Sequence, residues 1–270
     1  MQRHRILRAS LVGSLSMFLL GGCASHYVTP GGPAPLMALA SEGAQAADGA
    51  VADPAVAARM QVLPAAQWPA GVAFARVQAR GYRSHGSSGV NRGSLALVGA
   101  GVLERDTDAA AIAGWPAVRG VARLSPILVP PSDDALGALR EGAATLRADI
   151  LALYTVDTDF RVDDRDIGPL GLLTLGLAPT RNAVVGSTAS IAFFDVRTGF
   201  CYGAAEGSAS DDQVASAWTS EQAVEDARLR AERMAFERML EEAAKAWAGI
   251  AAEAARQAQA PVDAAASAAK

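Results

Sequence analysis

The stretch Asp149–Asp163 limits what this chain can fold into more than any other. Ile150–Leu153 is apolar at every position, and a strand that is apolar on both faces has to be covered on both. Beyond Tyr154 the pattern alternates, with Val156, Thr158 and Phe160 on one face and Asp157, Asp159 and Arg161 on the other. The strand is therefore expected to leave the covered part of a sheet there, with the two aspartates on its solvated side. Upstream, Leu136, Leu139, Ala143 and Leu146 step by three, four and three, which is one face of a helix. Ser132 is its expected cap, with Asp133 and Asp134 in the first turn, where the helix dipole favours negative charge. Downstream, Val184–Val196 and Phe200–Ser210 read as two strands. Asp195-Val196-Arg197-Thr198-Gly199 supplies the tight turn between them, Gly199 suiting a positive φ. Thr219–Ile250 then reads as a long helix opened by a Thr219/Gln222 capping box. Its buried stripe is Phe236, Met239, Leu240, Ala243, Trp247 and Ile250, while Glu225, Arg228, Glu232, Arg233, Glu237, Glu241 and Glu242 mostly face solvent. Further strands are expected at Gly71–Arg80 and Val118–Val129, with a loop over Ser84–Arg92. Together these predict an α/β fold: a mixed sheet flanked by helices, with a long C-terminal helix.

The beginning of the chain has a different character. Arg3, Arg5 and Arg8 precede the short apolar run Leu11–Leu20, and Leu20-Gly21-Gly22 leads directly into Cys23. That is the layout of a secretory signal peptide, and the run is too short to span a bilayer. The Leu-Gly-Gly-Cys close resembles the lipobox of bacterial lipoproteins. The resemblance implies cleavage after Gly22, a diacylglyceryl thioether on Cys23 and an acylated new amino terminus. Ala24 stands where an Asp would, in that family, signal retention in the inner membrane, so an outer-membrane anchor facing the periplasm is expected. Multiple acyl chains, at about 0.8 kcal/mol per buried methylene, hold stably without a polybasic segment.

Four regions follow: a signal peptide over 1–22, an Ala/Pro/Gly-rich tether over 23–67, a domain over 68–250 and an Ala-rich disordered tail over 251–270. A flexible tether of about 40 residues would average roughly 35 Å end to end. Processing removes three of the 24 Lys and Arg and none of the 28 Asp and Glu, leaving 21 against 28, a net charge of −7. A nucleic-acid surface needs a basic stripe and is not expected here.

Candidate chemistry is sparse. After processing only His26 and His85 remain, with Cys201 as the one further cysteine. No multi-ligand metal site can be assembled from that set, and no cofactor is expected beyond the lipid on Cys23. Cys201, between Phe200 and Tyr202, reads as an inward or half-buried strand residue. The acid run from Asp157 to Asp166 invites a calcium reading, but Arg161 takes a ligand position and the turn glycine is absent. The Gly-rich runs 81–93 and 99–101 lack the lysine of a P-loop.

Ile167–Ala178 is uncharged and lies between two strands. It is too short for a spanning helix and close to the length of one membrane-crossing strand, although its alternation is poor. Either it folds over the core, or Ile167, Leu170, Leu172, Leu173, Leu175 and Leu177 form an apolar element that meets a partner, sister subunits or lipid.

The order of elements adds a second resemblance. Leu146-Arg147-Ala148-Asp149 closes a helix before a strand, and Asp195-Val196-Arg197-Thr198-Gly199 turns a later hairpin. In this respect Ser132–Ile250 is similar to the periplasmic lipoprotein domains grouped with the curli-secretion channel subunit and the TolB amino-terminal domain. The resemblance implies a mixed sheet with packed helices, and binding or assembly rather than catalysis. The expectation is a non-enzymatic outer-membrane lipoprotein that holds another envelope protein or its own copies. The alternative is a self-assembling secretion subunit that uses residues 167–178 at the membrane. A periplasmic hydrolase ranks third, for want of a nucleophile motif.

Overall fold

A computed structural model describes residues 27–29, 32–36, 54–84, 87–99, 101, 103–164, 181–215 and 221–268. Eight strands form one sheet. They are β1 (Tyr27–Val28), β2 (Ala70–Ala79), β3 (Gly89–Arg92), β4 (Leu95–Val98), β5 (Val118–Arg123), β6 (Ile150–Asp164), β7 (Arg181–Asp195) and β8 (Cys201–Ala215). The helices are α1 (Pro54–Gln61), α2 (Asp106–Ala113), α3 (Ala135–Thr145) and α4 (Glu221–Ala268). The main path across the sheet is β3-β4-β2-β6-β7-β8. β2 runs parallel to β5 and β6, and the remaining pairings are antiparallel.

The both-faces burial expected of Ile150–Leu153 is met by two helical layers. On one face Ala73, Ala75, Leu151, Leu153 and Phe194 pack against Leu136, Leu139 and Ala143 of α3. On the other, Phe74, Ile150, Tyr154, Ile191 and Phe193 pack against Phe236, Met239, Ala243 and Trp247 of α4, with Ile112 of α2. Gly207 lets α4 approach the sheet: a Cβ there would lie 2.2 Å from the Met239 backbone nitrogen. The fold is therefore α/β, a mixed sheet between helices with a long C-terminal helix.

Several local expectations need correction. α3 is capped by Asp134, whose Oδ1 accepts from the Gly137 N–H at 2.8 Å, and Ser132 instead accepts from the Asp134 N–H. β3 lies within the stretch expected as a loop, paired with β4 in a short hairpin. α4 continues past Ile250 to Ala268, so the Ala-rich stretch expected as a disordered tail or a weak continuation of the helix is the latter, alanine being the strongest helix former. Residues 216–220, with the Thr219 half of the expected capping box, lie outside the described residues.

The expected tether is also partly built into the domain. β1 pairs with β6 beyond the point where β2 leaves it, Thr29 N donates to Thr158 O at 3.1 Å, and Ala34 N donates to Thr155 Oγ1 at 2.8 Å. Ala34 and Leu36 are buried in the core on the α3 side. The physical reason is the open edge of β6, whose backbone groups would otherwise go unpaired.

Candidate functional site: the two ends of the long hairpin

β6 and β7 pair over their whole length, from Ile150↔Asp195 to Asp164↔Arg181. Residues 165–180 therefore leave and rejoin the sheet at one end. That stretch, with Ile167, Leu170, Leu172, Leu173, Leu175 and Leu177, lies outside the described residues, as do Cys23, His26 and His85. β1 runs antiparallel to β6 with Tyr27↔Phe160 and Val28↔Asp159, so the first residue of β1 is the one nearer that same end. Cys23 is four residues upstream of Tyr27, a span of at most about 14 Å in extended chain. No described helix is long and apolar enough to cross a membrane.

Behind this end, α4 is fastened to the sheet through buried charge. Glu232 accepts from Arg76 Nη2 at 3.4 Å, from Thr158 Oγ1 at 3.2 Å and from Arg228. Thr158 Oγ1 also meets Ser187 Oγ at 3.0 Å, which in turn donates to the Asp157 carbonyl at 3.1 Å. The Arg76 guanidinium sits 5.4 Å over the Tyr82 ring. Burial works against the charge of Arg76, but Glu232 and the neighbouring phenols outweigh it and raise the guanidinium above its ordinary value. Arg228 and Glu232 were expected to face solvent, yet they are 4 % and 2 % exposed. The signal that could have placed them is their spacing, since 228, 232, 236, 239 and 243 continue one helical face. Asp157 and Asp159 are likewise half-buried rather than solvated.

At the opposite end, Asp149 gathers three strands. Its N–H donates to Gly71 O at 2.7 Å, its carbonyl accepts from Val196 N at 3.0 Å, and Gly71 N donates to its Oδ2 at 3.0 Å. Two guanidiniums close on the carboxylate, Arg119 Nη2 on Oδ2 and Arg197 Nη1 on Oδ1, each at 3.0 Å. Asp195 builds the β7–β8 turn, accepting from the Arg197 and Thr198 N–H groups at 2.8 and 3.1 Å. Gly199 has φ +77°, as a tight turn of this kind needs. The other Asp195 oxygen takes the Ala65 N–H at 2.6 Å and the Tyr202 hydroxyl at 2.9 Å. Burial and the adjacent Asp195 push the Tyr202 phenol far above its ordinary range. The two motifs quoted from the sequence, 146–149 and 195–199, thus meet through the Arg197–Asp149 ion pair.

Beside Asp149 opens a cleft of about 770 Å³ lined by Gly71, Arg119, Gly120, Ala144, Arg147 and Arg197, among others. A Cβ on Gly71 would come within 2.9 Å of Arg119 Nη2, so this glycine makes room for the guanidinium. Among the described residues, two non-glycines have positive φ, Ala117 at 57° and Arg147 at 55°. Arg147 lines the cleft, and Ala117 directly precedes the strand that carries Arg119.

Cys201 is half-buried as expected, with its thiol raised by burial and directed at the Gly203 carbonyl, 3.8 Å away. No protein-family model matches the chain, and no curated protein matches it either.

Proposed function

We infer that this chain is a lipid-anchored protein of the outer membrane that binds or assembles with another envelope component and carries no catalysis of its own. The observation that carries the reading is the direction of β1. Its antiparallel pairing points the start of β1, four residues after Cys23, toward the end where β6 stops at Asp164 and β7 begins at Arg181. An acyl anchor at Cys23 would then hold the domain close to the bilayer, hairpin end first, with the apolar stretch containing Leu170–Leu177 beside the lipid or a neighbouring subunit. A long-reach adaptor on a free tether is less well supported, because Tyr27 and Val28 pair with β6 and Ala34 and Leu36 are buried in the core.

A self-assembling secretion or transport subunit is the second reading. It is favoured by the outer edge of β8, which pairs with no strand among the described residues, and by the same placement of residues 165–180.

The test is in two parts. Cys23→Ser should leave an unprocessed precursor that takes up no palmitate and is released from membranes; normal labelling would refute the anchor. The mass of the acylated protein in mild detergent then separates the readings. A monomer or dimer supports a binding module, and a ring lost on deleting Leu170–Leu177 supports the transport subunit.

A further inference from the structure

The geometry points to the cleft beside Asp149 as a binding site for a short peptide rich in free carboxylates, of the kind that hangs from the cell-wall glycan. Three arginines, Arg119, Arg147 and Arg197, line the cleft with one carboxylate, Asp149, which Arg119 and Arg197 contact, leaving an excess of two positive charges in a chain whose overall charge is negative. Asp149 uses only part of their capacity. Arg119 reaches it through Nη2 and Arg197 through Nη1. Among the described residues, Arg119 Nε, Arg197 Nε and Nη2, and the whole guanidinium of Arg147 have no acceptor. Guanidiniums pair with carboxylates by two parallel hydrogen bonds, so the unused donors suit that group.

The backbone fixes where Arg147 sits. It closes α3 in the left-handed region, its N–H and that of Ala148 donating to the Ala144 and Ala143 carbonyls at 2.8 and 3.1 Å. Glycine or asparagine would suit that backbone equally well, and the arginine side chain makes no hydrogen bond among the described residues. The walls of the cleft are small or apolar, with Gly71, Gly120, Ala144, Val121 and Val196, which leaves room for a peptide backbone between the charges.

The choice of ligand rests on the anchored reading above. From Ile150 to Asp164 the strand covers fourteen steps, about 46 Å at 3.3 Å per residue. A domain held hairpin-first at the outer membrane therefore presents this cleft to the cell wall. Wall stem peptides offer several carboxylates and no phosphate.

The probe is the tetrapeptide L-Ala-γ-D-Glu-meso-diaminopimelate-D-Ala, titrated calorimetrically into the full-length acylated protein in detergent. Its fully amidated form and inorganic phosphate serve as comparisons. The expected result is binding of the tetrapeptide that weakens with salt and is lost on amidation. Arg147→Asn should weaken it about tenfold or more, one charge-assisted contact being lost, while melting no lower than the parent. Arg197→Gln should weaken it similarly. The inference is overturned if the parent does not bind, if amidation has no effect, if phosphate binds as tightly, or if Arg147→Asn binds like the parent. Cys23→Ser should bind the tetrapeptide unchanged. Failure of the anchor would thus appear in membrane attachment, and failure of this site in the titration.

Discussion

Glu232→Ala is the substitution that most sharply tests how α4 is held. The charge of this carboxylate suggests a solvent position, but its side chain is 2 % exposed and receives Arg76, Arg228 and Thr158. Arg228 retains Glu225 as a partner after the change. Arg76 does not fare as well: its side chain is also 2 % exposed, and among the described residues Tyr82 is left as its neighbour in hydrogen-bond reach. Removing one member of a buried ion pair leaves an uncompensated charge and costs about 3–5 kcal/mol. A solvent-facing glutamate would cost about 0.5 kcal/mol or less. In a domain of this size each kcal/mol moves the melting midpoint by about 2–4 °C, so a loss near 4 kcal/mol lowers it by about 8–16 °C. Urea unfolding followed by far-UV circular dichroism reads the difference directly. The double variant Arg76→Met/Glu232→Leu should recover most of the loss, since apolar groups of similar volume replace buried pairs at little cost. A Glu232→Ala variant within about 1 kcal/mol of the parent would refute the buried-charge account.

Two further substitutions probe the same packing. Gly207→Ala should destabilise by about 1–3 kcal/mol or more in thermal unfolding, because the new methyl meets rigid α4 backbone at Met239 N, 2.2 Å, and Arg238 C, 2.6 Å. Gly203→Ala, whose nearest neighbour is Ile250 Cδ1 at 3.7 Å, should be close to neutral. Asp108 provides a pH test. Burial opposes its charge, but the hydrogen bonds from Arg233 and from the Arg105 N–H outweigh that and hold the carboxyl below the ordinary aspartate range. The unfolded chain then binds the proton more readily, so this contribution is complete above the unfolded value and is lost as pH falls through the folded one. The stability gap between the parent and Asp108→Asn should shrink as pH falls from the ordinary aspartate range through the lower folded value; parallel profiles would count against the pairing.

The middle of the sheet was legible because periodicity reports burial. Ile150–Leu153, the Leu136–Ala143 face of α3 and the Phe236–Trp247 stripe of α4 are all read from apolar spacing, and all are buried or nearly so. The same logic failed wherever a polar residue was buried with a partner distant in sequence. Arg76 and Glu232 are 156 residues apart, and neither side chain announces the other. Gln78, at the end of an apolar strand, is fully buried because its amide donates to the Val156 carbonyl at 2.8 Å and its oxygen accepts from Thr155. Tyr27–Leu36 was misread for a related reason. Its proline and glycine content resembles a linker, and only the vacant edge of β6 reveals that the segment has backbone partners. The arginine cleft was half visible: the motifs at 146–149 and 195–199 were noticed, but nothing local said that they touch.

The placement of charge along the long hairpin ties these observations together. Near Ile150 both faces of the sheet are covered, and the strand is apolar throughout. Past Tyr154 β2 leaves the edge of β6 and α3 no longer covers one face, so the residues there turn polar. The strand pair nevertheless continues to Asp164 and Arg181. β8 accompanies it, pairing with β7 out to Arg181↔Ala215, and such a three-stranded extension is stable in water when something packs on a face of it. Here the packing comes from α4 on one face, fastened through Glu232, and from β1 along the edge. Two separate elements are thus committed to stiffening a projection whose tip carries an uncharged stretch of sequence. A flexible loop would need neither. The stiffening makes sense where the tip must be held in a fixed direction relative to the body. An acyl anchor at Cys23, as proposed, would constrain that same direction through the four residues to Tyr27.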